Sequence, residues 1–207
     1  MVAITPRWEW RTFGHGFGEA EQKLAHVLTA PRQSDEIYVV CERSDLNVKI
    51  RDNRLEIKAI QDVGSEGLER WAPVFKVPFP IATIALATVF DRFGLHLPAM
   101  PRPEYDAATF LRELVEPNAL LEIVHVSKRR SGGRLEDCQV EIADLTFDGE
   151  PVRTLGVEHE DAARVMAALA ALGLSSGANV NYVHALKEFL SARVGAQVLR
   201  RQGGARS

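Results

Sequence analysis

Val48-Lys49-Ile50-Arg51-Asp52-Asn53-Arg54-Leu55-Glu56-Ile57-Lys58 alternates apolar and charged side chains on either side of an Asp-Asn step. Side chains two apart share one face of a strand, and Asp and Asn tolerate the left-handed backbone of a tight turn. The stretch therefore reads as a β-hairpin over about 46–60, with Lys49, Arg51, Glu56 and Lys58 as charged teeth. One such hairpin is an ordinary solvated sheet face. The pattern recurs, however, in Val126-Ser127-Lys128-Arg129-Arg130 and in Gly156-Val157-Glu158-His159-Glu160, where Lys128 joins Arg130 and Glu158 joins Glu160. Charged faces of mixed sign, repeated along the chain, point to a sheet that curls around something polar.

Outward from the hairpin, residues 7–13 read as an aromatic-rich strand with Arg7, Glu9 and Arg11 on one face and Trp8 and Trp10 packing on the other. Turn glycines at 14, 16 and 18 lead into a helix from about 19 to 28. Further strands are predicted at 36–40, 119–128, 136–147 and 153–160, with hairpin turns at Ser131-Gly132-Gly133 and Asp148-Gly149. The segment 64–80 reads as irregular and Pro-punctuated, followed by helices at about 81–93 and 105–115. A helix from 160 to 172 carries an apolar stripe of Ala163, Met166, Ala167, Ala170 and Leu174, and the last helix spans 182–194. The expected class is α+β: an antiparallel β-barrel or tunnel with a charged lumen and peripheral helices. Residues 1–195 form a single domain in this reading, with a Pro-rich helical insertion at about 64–117 and a disordered tail at 196–207.

Composition narrows the function. The 207 residues are 46% hydrophobic and 26% charged, with a net charge of -3, so the chain lacks the basic excess that binding a nucleic acid duplex favours. Cys41 and Cys138 stand far apart without metal-ligand spacing, which argues against a disulfide framework or a zinc site. The most apolar run, 81–90, is too short to cross a bilayer, and a cytoplasmic protein, monomer or homodimer, is the expectation. No nucleophile stands in a Ser-His-Asp or Cys-His arrangement.

Charges enclosed without partners cost several kcal/mol each, so a lumen that holds them must contain water, metal or an anionic ligand. Arg11, Lys49, Arg51, Lys58, Lys128 and Arg130 suit a phosphate chain, because guanidinium forks and ammonium groups match its oxygens. Glu9, Glu56, Glu141, Asp144, Glu158 and Glu160 are the acidic candidates. Of these, Glu158 and Glu160, two apart on one strand, suit a hard divalent cation. Bases for phosphate and acids for metal together point to a polyphosphate-metal site.

The order of these elements resembles the CYTH superfamily, the triphosphate tunnel metalloenzymes, which include inorganic triphosphatases, thiamine triphosphatases and class IV adenylyl cyclases. The early Glu-x-Glu-x-Lys signature is matched by Arg7-Trp8-Glu9-Trp10-Arg11, and the basic strand with its following "EIK" strand by residues 48–51 and 55–58. The later Lys-x-Arg is Lys128-Arg129-Arg130, the mid-strand acid is Asp144, and the closing Glu-x-Glu is Glu158-His159-Glu160. A last helix around Tyr182 completes a likeness that covers roughly residues 7–190. The resemblance implies phosphate binding by Arg11, Lys49, Arg51, Lys58, Lys128 and Arg130. It implies Mg²⁺ or Mn²⁺ held by Glu9, Asp144, Glu158 and Glu160, with Glu9, Glu158 and Glu160 as the catalytic carboxylates.

The implied activity is divalent-metal-dependent hydrolysis of an inorganic or organic triphosphate. Alternatives are a non-catalytic polyphosphate- or nucleotide-binding module, an adenylyl cyclase-type lyase on the same scaffold, and an interaction scaffold whose charged strands are merely solvated. The sequence departs from the family at Arg7, where the signature has Glu, and at Arg11, where it has Lys.

Overall fold

A computed structural model describes residues 5–203, with side chains described as far as Gly195. In chain order the elements are β1 (Arg7–Gly14), α1 (Glu19–Leu24), β2 (Arg32–Cys41), β3 (Asn47–Arg51), β4 (Arg54–Val63) and β5 (Glu69–Pro78). There follow β6 (Ile81–Ala82), α2 (Thr83–Phe93), β7 (Glu104–Tyr105) and α3 (Ala107–Phe110), which runs into a π-helical turn at Leu111–Val115. The chain continues with β8 (Leu121–Leu135), β9 (Cys138–Phe147), β10 (Glu150–His159), α4 (Ala162–Leu172) and α5 (Tyr182–Gly203). Eight antiparallel strands close a barrel in the order β1-β10-β9-β8-β2-β3-β4-β5, while β6 and β7 pair separately. This is the α+β barrel with peripheral helices that the alternation predicts.

Two-residue periodicity explains how the barrel is built. The apolar partners of the charged teeth point outward and are covered by helices, each fully buried large side chain contributing roughly 1.5–3 kcal/mol. Val39, Cys41, Val48, Ile50, Leu55 and Ile57 meet Leu86, Val89, Phe90 and Phe93 of α2, together with Phe110, Leu114 and Val115. Around β1, β9 and β10, Trp10, Val140, Ile142, Leu155 and Val157 are covered by Ala20 and Leu24 of α1 and by Val165, Ala168, Leu169 and Leu172 of α4. Both tryptophans of β1 therefore pack outside the barrel.

The inward faces are not uniform along their length. On β8 the inward row runs from Val124 and Val126 to Lys128 and Arg130; on β9 it runs from Glu141 to Ala143, Leu145 and Phe147. Where these rows are apolar, Tyr182, Ala185 and Leu186 of α5 pack against them, with Phe13 and Phe189 alongside. The last helix thus fills one end of the barrel, and the charged half is left as the lumen.

Two of the predicted hairpin turns stand as read. Asp52 and Asn53 both take positive φ (49° and 54°), as do Asp148 and Gly149 (48° and 92°), the geometry of two-residue turns that match strand twist. The Ser131-Gly132-Gly133 turn does not form. β8 runs straight through it to Leu135 and turns at Glu136, φ 44°. Those glycines serve a close approach instead: Thr29 N–H donates to the Gly132 carbonyl at 2.9 Å, and a Cβ on Gly133 would stand 2.3 Å from the Val27 carbonyl oxygen.

Three further expectations are corrected. The segment 64–80, read as irregular, contains β5, the strand that closes the barrel against β1 and β4. Its prolines are tolerated because β5 departs from regular register at two places, between Ile57/Lys58 and Ile60/Asp62 of its partner. The buried stripe of α4 is Val165, Ala168, Leu169 and Leu172 rather than the alanine-rich face, since the larger side chains remove more apolar area from water. α5 extends to Gly203 through part of the predicted tail, and residues 204–207 lie outside the described residues. Among the described residues no helix is long and apolar enough to cross a membrane.

Candidate functional site

The lumen is a cavity of about 730 Å³ lined from all eight barrel strands, the segment between α1 and β2, and the start of α5. Eight basic side chains line it against four acidic ones. The bases are Arg11, Arg32, Lys49, Arg51, Lys58, Lys128, Arg130 and Arg134; the acids are Glu9, Glu56, Glu141 and Glu158. All six residues expected to contact phosphate are thus brought together. Parity alone collected them, because every one lies on the inward period of its strand.

The deepest charge was not foreseen. Glu36 of β2, with its side chain 1% exposed, accepts from Lys128 Nζ at 3.0 Å, Lys49 Nζ at 3.3 Å, Arg51 Nη1 at 3.3 Å and Tyr38 Oη at 2.9 Å. Burial pushes its carboxyl up, but Lys128 and Lys49 outweigh that and hold it at about 2. Arg51 is also paired with Glu56 at 3.4 Å, but among the described residues Glu36 is the only carboxylate paired with Lys49 and Lys128, which leaves the two lysines net positive. Lys49 feels the surplus: burial and the Lys128 ammonium bring it down to about 8. Burial likewise opposes the charge of Lys128, which Tyr182, Tyr38 and Glu36 nonetheless hold well above the usual lysine range. Its ammonium lies 4.0 Å from the centre of the Tyr182 ring. The Tyr182 hydroxyl, in the lumen wall, has no hydrogen-bond partner among the described residues. The only signal for Glu36 in the sequence was its place on the inward parity of an otherwise β-rich strand.

A second cluster surrounds Arg11. Its Nε donates to Glu9 Oε1 at 2.8 Å, and its Nη1 donates to Glu141 Oε1 at 3.3 Å and Thr154 Oγ1 at 3.2 Å. Burial raises the Glu9 carboxyl, yet Arg11 and Lys58 hold it below its ordinary value. Glu141 shares its other oxygen with Arg130 at 3.4 Å. Gly156, directly opposite Arg11 on β10, makes room for the guanidinium, since a Cβ there would stand 2.6 Å from Nη2 and 2.8 Å from Cζ. Gly156→Ala is expected to displace Arg11 from Glu141 and Thr154 and to lower stability by about 1–3 kcal/mol. Urea denaturation measures this; an unchanged midpoint would show that the side chain yields without cost.

The residues expected to hold metal do not converge. Glu9 and Glu158 line the lumen, but Arg7 Nη1 donates to Glu158 Oε1 at 3.0 Å and Arg11 occupies Glu9. Asp144 is three residues from Glu141 on one strand, so the two point to opposite faces. It pairs on the outside with Arg129 at 2.9 Å and Arg153 at 2.8 Å. Glu160 falls beyond the end of β10 and is exposed. No group of three or more acidic, His or Cys side chains among the described residues is placed to hold a metal ion. These carboxylates therefore do not fit a divalent cation, and no chemical step is derived through one. Glu56 is likewise paired, with Lys76 at 2.6 Å and Arg51 at 3.4 Å.

No family model matches the chain, and no curated protein matches it. Among solved structures it is similar to a conserved hypothetical protein from Pyrococcus furiosus, at 16% identity over 86% of this chain and 98% of that one, with a TM-score of 0.47. It is also similar to an adenylate cyclase candidate from Bacillus halodurans, at 14% identity over 87% and 97% of the two chains, TM-score 0.47. An adenylyl cyclase candidate from Hippeastrum, described as having a dominant triphosphatase activity, matches at 12% identity over 87% and 96%, TM-score 0.45. At such identities and scores the likeness assigns no activity to this chain.

Proposed function

We propose that this protein captures a triphosphate-containing small molecule in the barrel lumen. One observation carries the reading: eight basic side chains line the half-open lumen against four acidic ones, and with Glu36 buried behind Lys49, Arg51 and Lys128 the bases still outnumber the acids by three, in a chain whose net charge is -3. Unbalanced cations held away from bulk water are costly unless a counter-charge arrives, and a phosphate chain delivers several negative charges in a compact form. Lys58, which makes no ion pair among the described residues, and the unpartnered Tyr182 hydroxyl are donors that phosphate oxygens would satisfy. The volume of about 730 Å³ suits a small molecule and excludes a nucleic acid duplex.

Isothermal titration with tripolyphosphate tests the proposal. Binding at one site, at least about tenfold tighter than orthophosphate, is expected because each further phosphate adds charge-assisted hydrogen bonds. Absence of binding by either anion would sink it. Hydrolysis is the second reading, favoured by Glu9 standing directly opposite Glu158 across β1 and β10. In that case catalysis would be electrostatic, with no protein nucleophile. Phosphate release from tripolyphosphate with Mg²⁺ or Mn²⁺, abolished in Glu158→Gln, would establish it. A cyclase-type lyase reaction gains no support from the lumen, whose Tyr38 and Tyr182 rings stack on each other at 5.8 Å and 18°.

A further inference from the structure

Three carboxylates lie level on the inward faces of adjacent strands. Glu69 of β5 and Glu158 of β10 each stand opposite Glu9 of β1. Such a row is what a hard dication seeks, yet every member is already held by a donor of the protein. Arg11 Nε donates to Glu9 at 2.8 Å and Arg7 Nη1 to Glu158 at 3.0 Å. Asn181 Nδ2 donates to the two oxygens of Glu69 at 2.9 and 3.0 Å, and Trp71 Nε1 donates to it at 3.1 Å. Arg7 and Arg11 flank Glu9 at the two-residue period of the strand, so a dication entering the row would have a guanidinium on either side. The Arg7–Glu158 pair is only part-buried, with side chains 38% and 30% exposed, and a guanidinium has five N–H donors in a fork that matches phosphate.

We propose that the lumen takes its polyphosphate as the metal-free anion, with the guanidiniums of Arg11 in the lumen wall and of Arg7, at its rim beside the lumen-lining Glu158, standing where a divalent cation would otherwise sit. This rests on the capture reading above and names the form of the ligand. Magnesium in excess then competes by complexing the polyphosphate and reducing its charge.

Calorimetry with tripolyphosphate in EDTA and in excess Mg²⁺ decides between the cases. The wild-type protein is expected to bind in EDTA at least as tightly as in Mg²⁺. Arg7→Glu is expected to lose about tenfold or more in EDTA and to regain affinity when Mg²⁺ is added, whereas Arg7→Gln loses affinity without rescue. If Arg7→Glu fails to fold by circular dichroism, Arg7→Gln and the spin-resonance signal of Mn²⁺ mixed with ligand-free wild type decide, that signal staying at full amplitude. Wild-type binding that appears only with Mg²⁺ or Mn²⁺, or loss of the Mn²⁺ signal on the ligand-free protein, overturns the inference while leaving capture intact. Failure to bind in both conditions overturns capture and the inference together.

Discussion

Glu36→Gln is expected to lower the free energy of unfolding by about 3 kcal/mol at pH 7, because it leaves Lys49, Lys128 and Arg51 around a neutral amide. The carboxyl of Glu36 lies at about 2 in the folded protein, against an ordinary value of 4.5. The difference, at 1.36 kcal/mol per unit, gives the same figure of about 3 kcal/mol. Its side chain is 1% exposed, so solvent does not screen the interaction away. A group whose folded pKa is depressed contributes fully above its unfolded pKa and loses that contribution as pH falls through the folded value. The stabilisation should therefore be complete above about pH 5 and fade toward pH 2, where wild type and variant converge. Urea denaturation at pH 7, 4 and 2.5 measures this. A difference that stayed constant across that range would mean that Glu36 stabilises by packing rather than by charge.

Lys128→Met is expected to weaken tripolyphosphate binding by about 100-fold, the order found when one member of a buried, hydrogen-bonded charge set is removed. The Lys128 side chain is 6% exposed, its ammonium 3.0 Å from Glu36 and above the Tyr182 ring, so no water or neighbouring side chain replaces it without rearrangement. The variant also reports on Lys49, whose pKa of about 8 reflects burial and then the Lys128 charge. In the wild type, anion affinity should be highest below pH 8 and fall as pH rises through it, when Lys49 loses its proton. Removing Lys128 removes a like charge and moves that break upward. The same lysine has the opposite consequence for stability: its folded pKa lies below the ordinary 10.5, so the cost of its buried charge is relieved as pH rises from about 8 toward 10.5. Calorimetric affinities between pH 6 and 10 test both variants, and a pH profile unchanged by Lys128→Met would separate the two lysines.

Much of this architecture is legible in the sequence. The hairpin read at about 46–60, which the structure extends to Val63, the Asp52-Asn53 and Asp148-Gly149 turns and the inward placement of Lys49, Arg51, Lys58, Lys128 and Arg130 follow from period two and turn chemistry. The misreadings have local causes. Pro73 and Pro78 disguised β5, because a proline normally argues against a strand and here is accommodated by irregular register. Gly132 and Gly133 imitated a turn, although the small side chain is needed where the Val27 carbonyl approaches. Asp144 stands with Glu141 among the acidic candidates, but the odd spacing between them puts it outside the barrel with Arg129 and Arg153.

What the sequence determined by itself is which side of each strand is charged, since alternation is a property of covalent geometry and needs no partner strand. It offers six basic and six acidic candidates in balance; the basic excess of the lumen appears only once Asp144 and Glu160 are seen to lie outside it. What only the tertiary structure decided is which charge meets which. Strand register sets Glu69, Glu9 and Glu158 level: the pairing of β1 with β10 brings Arg7 beside Glu158 across 151 residues of chain, and barrel closure through β5 brings Glu69 to the other side of Glu9. The insertion of α5 ends the lumen at Tyr182. Ion pairing falls off within a few ångströms, and distances that small between remote residues are fixed by register and closure, which no single strand carries.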